Sequence, residues 1–161
     1  MGSNARTLLP LLFALLLAAC VSPGPGDLSA GASESDVVAR MGKPSSELPL
    51  PDGGRQLEFL HWPFGHHTFM VNVGRDGKVR AIDQVLRDAY FAKIQPGMTE
   101  PEVLALIGHP LRTLRYEQID DMVGTYNYTD AGSNELWLNV HYDLSGKVTR
   151  IERGKTMHSV Y

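Results

Sequence analysis

Gly31-Ala-Ser-Glu-Ser-Asp-Val-Val-Ala-Arg-Met-Gly-Lys-Pro44 lies over Gly97-Met-Thr-Glu-Pro-Glu-Val-Leu-Ala-Leu-Ile-Gly-His-Pro110 at a constant offset of 66. Six of the 14 positions are identical without a gap: Gly31/Gly97, Glu34/Glu100, Val37/Val103, Ala39/Ala105, Gly42/Gly108 and Pro44/Pro110. A second match follows at offset 69, where Gly77-Lys78-Val79 and Ile82 lie over Gly146-Lys147-Val148 and Ile151. An internal period sets the fold before any single segment is read. It divides the chain into a first copy over 31–83 and a second over 84–154, with 155–161 as a tail.

Each copy opens with helix signals. Ser33 and Thr99 are N-cap residues whose side-chain oxygen accepts from a first-turn N–H. Asp36 and Glu102 stand three residues on, and Thr99 with Glu102 makes a capping box. The helices run from Glu34 to Met41 and from Glu100 to Ile107. Gly42 and Gly108 stop them in the position that needs a left-handed residue, and Pro44 and Pro110 prevent continuation. Apolar alternation then predicts strands over Gln56–His61, His66–Val73 and Glu135–Tyr142. Val85, Leu86, Ala89, Tyr90 and Ile94 form a helical stripe, so the second copy is expected to carry two helices. The expected class is α+β: two tandem copies of a short helix, or helical hairpin, plus an antiparallel sheet.

The amino terminus reads as an address. Leu8 to Leu17 is an uncharged apolar run of ten residues behind Arg6. A membrane span needs about 20 residues, so 1–19 is a signal peptide. The run ends Leu17-Ala18-Ala19-Cys20, with the only cysteine of the chain in the last place. That order resembles the bacterial lipobox. The resemblance implies cleavage before Cys20, a diacylglyceryl thioether on its sulfur and acylation of its new amine. Several acyl chains on one residue make a lasting anchor where one chain alone is marginal. Val21 rather than aspartate follows, which by the same resemblance implies the outer membrane, on its periplasmic face. Residues 20–30 then form a tether, since Pro23, Gly24, Pro25 and Gly26 exclude regular structure. It reaches at most about 35 Å.

The pattern Gly97-Met98-Thr99-Glu100-Pro101-Glu102-Val103 followed by Gly108-His109-Pro110 resembles the SmpA/OmlA (BamE-like) family of small outer-membrane lipoproteins. That resemblance covers Gly31 to Gly154. It implies a helical hairpin followed by an antiparallel sheet, and a protein partner in the envelope, among them the barrel-assembly machine. Tandem copies of a similar unit build the β-lactamase inhibitor proteins, which bind enzymes with a concave sheet. Two functions follow: an accessory binding module in envelope biogenesis or outer-membrane protein assembly, or a periplasmic enzyme-binding or inhibitor module.

Little in the chain suggests chemistry. The net charge of −3 gives no basic footprint for nucleic acid. There is no Gly-x-Ser-x-Gly, no His-Glu-x-x-His and no phosphate-cradling glycine loop. A lone cysteine committed to lipid leaves no thiol nucleophile. His66 and His67 point to opposite faces of a strand, so they do not converge on a metal. No catalytic residue, metal or cofactor is expected beyond the lipid on Cys20. Function is instead expected on the sheet faces that the helices leave open. Those faces carry His66, Thr68, Met70 and Asn72 in the first copy, and Glu135, Trp137, Asn139 and His141 in the second. Trp62-Pro63-Phe64-Gly65 fits a type I turn that lifts Phe64 to a hairpin tip. The candidate partner-binding residues are therefore Phe64, His66, Met70, Trp137 and His141, while Asp120-Asp121 reads as a solvated loop.

Overall fold

The computed structural model describes residues 25–60 and 66–155. The elements follow in the order α1 (Glu34–Met41), β1 (Ser46–Pro49), β2 (Arg55–Leu60), β3 (Thr68–Val73), β4 (Val79–Gln84), α2 (Asp88–Phe91), α3 (Glu100–Ile107), β5 (Arg112–Tyr116), β6 (Asp121–Thr129), β7 (Glu135–Tyr142) and β8 (Val148–Lys155). One turn of 3-10 helix, Glu117–Ile119, links β5 to β6. The strands form two four-stranded antiparallel sheets, β1-β2-β3-β4 and β5-β6-β7-β8, each in chain order.

The α+β expectation is corrected by this arrangement. The protein is mostly antiparallel sheet, with α-helices of only eight, four and eight residues. The helical stripe predicted over Asp83–Ile94 does not form. Asp83 and Gln84 instead continue β4, paired with Met70 and Phe69, and only Asp88–Phe91 turns helical. Cross-strand pairing supplies hydrogen bonds that a lone amphipathic turn cannot match, and tertiary context overrides the local period. Val85, Leu86, Phe91 and Ile94 are still buried, Phe91 from the short helix and the others from the chain on either side of it.

The two eight-residue helices are held alike. Ser33 accepts from the Asp36 N–H at 3.1 Å, and the Asp36 carboxylate accepts from the Ser33 N–H at 3.0 Å. Glu102 accepts from both the N–H and the hydroxyl of Thr99, at 2.7 and 2.8 Å. These bonds to the charged form hold the carboxyls of Asp36 and Glu102 below their usual range. The Glu34 N–H donates to the Gly77 carbonyl at 3.0 Å and the Glu100 N–H to the Gly146 carbonyl at 2.9 Å. Ser33 bridges Lys78, and Thr99 bridges Lys147. The two matched stretches of sequence thus meet in space: Gly77-Lys78-Val79 and Gly146-Lys147-Val148 are the hairpin ends that receive the helix entries.

Gly42 and Gly108 end the helices at φ 86° and 81°, with ψ −166° and −171°. This is not the left-handed helical conformation but the extended region at positive φ, which is open essentially to glycine alone. Pro44 and Pro110 follow within two residues. α1 buries Val37 over Leu57, Phe59, Val71, Val73 and Val79. α3 buries Val103 and Ile107 with Phe91 over Tyr126, Tyr128, Leu138, Val140 and Tyr142. Each buried aliphatic or aromatic side chain contributes about 1.5–3 kcal/mol.

Candidate functional site: the open face of the second sheet

Side chains alternate across a strand, so each sheet has a face turned away from its helix. On the first sheet that face carries Gln56, Glu58 and Leu60 on β2 and Thr68, Met70 and Asn72 on β3, in register. It is not open. The segment that follows α3 lies on it. Glu58 is 2% exposed and Met70 4%. The Glu58 carboxylate accepts from the His109 N–H at 2.7 Å, meets the His109 ring Nδ1 at 2.5 Å and accepts from the Ser46 hydroxyl at 2.5 Å. From the other side, the Tyr126 hydroxyl donates to the Gly108 carbonyl at 3.0 Å. Burial in this apolar setting pushes the Tyr126 phenol well above its usual pKa, so it stays a donor. Pro110 lines a small apolar hollow of about 70 Å³ with Leu60, Leu86, Leu111 and Tyr126. Gly108-His109-Pro110 is therefore both a helix stop and a clasp between the sheets.

The same face of the second sheet is lined by open hollows, with Arg112, Leu114 and Arg150 exposed along it and Asp121, Val123, Thr125 and His141 buried at its floor. Its register sets out rows across the strands. One row is Asn127, Trp137 and Gly154; the next is Arg112, Thr125, Asn139 and Glu152; the next is Leu114, Val123, His141 and Arg150; and Tyr116 and Asp121 follow. Two adjoining hollows lie along it. One of about 370 Å³ is lined by Leu111, Arg112, Thr125, Asn127, Trp137 and Asn139. The other, of about 250 Å³, is bounded by Leu114, Tyr116, Ile119, His141 and Arg150, and shares Arg112, Thr125 and Asn139 with the first. Ile119 is 68% exposed, Tyr116 44% and Leu114 42%.

A charged network floors one end. His141, 6% exposed, puts Nδ1 at 2.7 Å from the Asp121 carboxylate and Nε2 at 3.5 Å from that of Glu152. Arg150 reaches Asp121 at 3.4 Å and Glu152 at 3.0 Å. Its guanidinium holds the Glu152 carboxyl below the usual range. Arg150 and the His141 ring thus both face the same two carboxylates. At the other end Trp137 lies over Gly154, where a Cβ would collide with its indole ring, and its N–H donates to the Lys155 carbonyl at 3.3 Å.

Neither a protein-family model nor a curated protein sequence matches the chain. Solved structures do. A candidate β-lactamase inhibitor protein from Streptococcus mutans matches with a TM-score of 0.33 at 11% identity, over 81% of this chain and 87% of its own. YjgB, a DUF4309 family protein from Bacillus subtilis, matches with a TM-score of 0.30 at 18% identity, over 78% and 79%. An extracellular SCP-domain protein from Bacillus anthracis matches with a TM-score of 0.33 at 8% identity, over 99% of this chain and 57% of its own, so this chain spans little more than half of that one. Scores this low leave function to be argued from the site itself.

Of the residues expected to bind a partner, Trp137 and His141 lie on this face of the second sheet. Met70 does not: it is buried under Gly108 and its neighbours, because the clasp occupies the surface that alternation alone leaves free. His66 is half-buried just ahead of β3, outside the strand expected to hold it. Phe64 and Cys20 lie outside the described residues, as do the signal peptide and the Trp62-Pro63-Phe64-Gly65 turn. Asp121 corrects a further expectation, being the buried partner of His141 rather than a solvated loop residue. Arg112, Asp121, Arg150 and the exposed Leu114, Tyr116 and Ile119 were missed. Their signal is faint: Arg112-Thr-Leu-Arg-Tyr116 alternates, but its more apolar face also carries the charge of Arg112. Among the described residues no group of His, Cys, Asp and Glu is arranged to hold a metal ion, and no helix is long and apolar enough to cross a membrane.

Proposed function

We propose that the protein is an outer-membrane-anchored periplasmic lipoprotein that acts as a protein-binding module in envelope biogenesis, and that the open face of the second sheet is its working surface. The observation that carries the binding reading is the contrast between the two faces. The first is filled by the chain's own clasp. The second keeps Leu114, Tyr116 and Ile119 in solvent beside a buried polar network. Exposed apolar side chains grouped on a concave surface mark interaction sites more than chance exposure does, and a fixed charged floor adds specificity. The anchor rests on Leu17-Ala18-Ala19-Cys20, and the envelope role on the SmpA/OmlA-like run from Gly97 to Pro110.

Two measurements test this reading. Cys20→Ala is expected to move the protein from the outer-membrane fraction to the soluble periplasmic fraction, or to stall it as precursor. Equal retention by the variant and the parent rejects the anchor. In intact cells, a photocrosslinking amino acid at Leu114 is expected to capture a discrete protein. The same group at Lys93, which lies on the Tyr90 ring on the helical side, is expected to capture none. Equal capture at both positions, or none at Leu114, rejects the face. A captured component of the barrel-assembly machine supports the assembly role; a single soluble enzyme supports the inhibitor role instead.

A further inference from the structure

The carboxylates of the open face are unevenly placed. Asp121 and Glu152 face Arg150 and His141 within 2.7–3.5 Å. Among the described residues this leaves Arg112 as the cation of that face with no carboxylate beside it, in a chain whose net charge is −3. Arg112 lines both hollows. Next to it the Thr125 hydroxyl donates to the Asn139 side-chain carbonyl at 2.8 Å. That bond engages the Asn139 carbonyl and leaves its NH₂ as a donor. The centre of the groove therefore presents a guanidinium and an amide donor side by side. Its complement is an anionic acceptor, and a guanidinium fork matches a carboxylate bidentately.

The rows give the spacing of what flanks that carboxylate. Successive rows are two residues apart along each strand, or about 6.6–6.8 Å. One step from the Arg112 row in one direction stands the Trp137 row, with Leu111 lining the same hollow; one step in the other stands Leu114 with Val123. An extended peptide repeats its side chains on one face with the same two-residue step. Glu152, at the β8 end of the Arg112 row, is already engaged by Arg150 and offers no donor. The anion is thus confined to the β5 side.

Taking the open face of the second sheet as the working surface, we propose that its partner presents an extended segment of the form apolar-x-acidic-x-apolar. The Asp or Glu carboxylate seats on Arg112 and the Asn139 amide. One apolar side chain packs by Trp137 and Leu111, and the other by Leu114 and Val123.

The test pans a phage-displayed library of random linear peptides on the full mature chain in detergent. Binding to the face is verified by its loss in Ile119→Arg. Enriched peptides are expected to share Asp or Glu with apolar residues two positions to either side. Replacing that acid by its amide is expected to weaken binding by about tenfold, the order of one charged hydrogen-bonded contact. Arg112→Gln is expected to cause the same loss, with no further loss when both changes are combined. Arg112→Glu is expected to shift the selected residue to Lys or Arg. Arg112 is exposed, and an unchanged thermal transition verifies that its variants fold. Peptides that lose binding in Ile119→Arg yet show no acidic requirement, or ignore Arg112→Gln, overturn the carboxylate assignment and leave the face standing. Peptides that bind Ile119→Arg as well as the parent, or no enrichment at all, overturn the face as well.

Discussion

Alanine at Gly108 is expected to destabilise the protein by about 3–5 kcal/mol, while alanine at Gly42 costs about 1–3 kcal/mol. Both glycines end an eight-residue helix and both hold positive φ, at 81° and 86°. A side chain at either position strains the backbone equally. The surroundings then separate them. A Cβ on Gly42 meets nothing within 4 Å, whereas one on Gly108 lies 2.5 Å from Glu58 Oε1, 2.9 Å from Thr68 Cγ2 and 3.1 Å from Met70 Cε. None of the three is free to withdraw. Glu58 is held by three hydrogen-bonding partners, and Thr68 and Met70 are buried in the seam. Urea denaturation of the two variants side by side measures the difference, since strain common to both cancels. Equal midpoints for Gly42→Ala and Gly108→Ala contradict the clasp.

Glu58→Ala is expected to cost about 1–3 kcal/mol, the range found when a buried hydrogen-bonding group is left without its partner. Glu58 is the most buried carboxylate among the described residues, at 2% exposure. It receives the Ser46 hydroxyl, the His109 N–H and the His109 ring. Truncation leaves the His109 N–H without an acceptor and opens a void under Gly108. Glu58→Gln is expected to cost less, because its amide carbonyl still accepts one of these bonds. Hydrogen exchange at the His109 amide separates this from a general loss of packing. The amide is expected to lose protection in Glu58→Ala before the amides of β7 do. An unchanged His109 amide in that variant is the result that sinks the assignment.

The ends of α1 and α3 were legible because their signals are local. A capping residue, an acid three positions on and a Gly-x-Pro stop fix a helix within one stretch of chain. β7 was legible because Leu136, Leu138, Val140 and Tyr142 bury one face. β6 was not. Asp121-Met-Val-Gly-Thr-Tyr-Asn-Tyr-Thr129 contains residues that usually favour turns, yet it is the longest strand, fixed by ladders with both β5 and β7. The end of β4, Asp83-Gln84, fell in the expected helical stripe for the same reason, since its partners Met70 and Phe69 lie 13 and 15 residues away in sequence. The site divides along the same line. Alternation put Trp137 and His141 on the open face. It carried no information that the Gly108 segment folds back over Met70, nor that Asp121 turns inward to His141. Those facts depend on how one sheet meets the other, and local periodicity is silent on that.

The clasp is, in effect, a bound loop supplied by the chain itself. Gly108-His109-Pro110 sits on the first sheet as a peptide sits on a receptor, with a carboxylate gripping its backbone. Covalent connection through the short stretch from β4 to α3 makes this association intramolecular, and short linkers of that kind give effective concentrations of about millimolar. Contacts too weak to hold two separate chains together at cellular concentrations are therefore enough to keep this site occupied. A free competitor for the first sheet has to outbid a ligand that never diffuses away, so mass action as well as shape keeps other molecules off that surface.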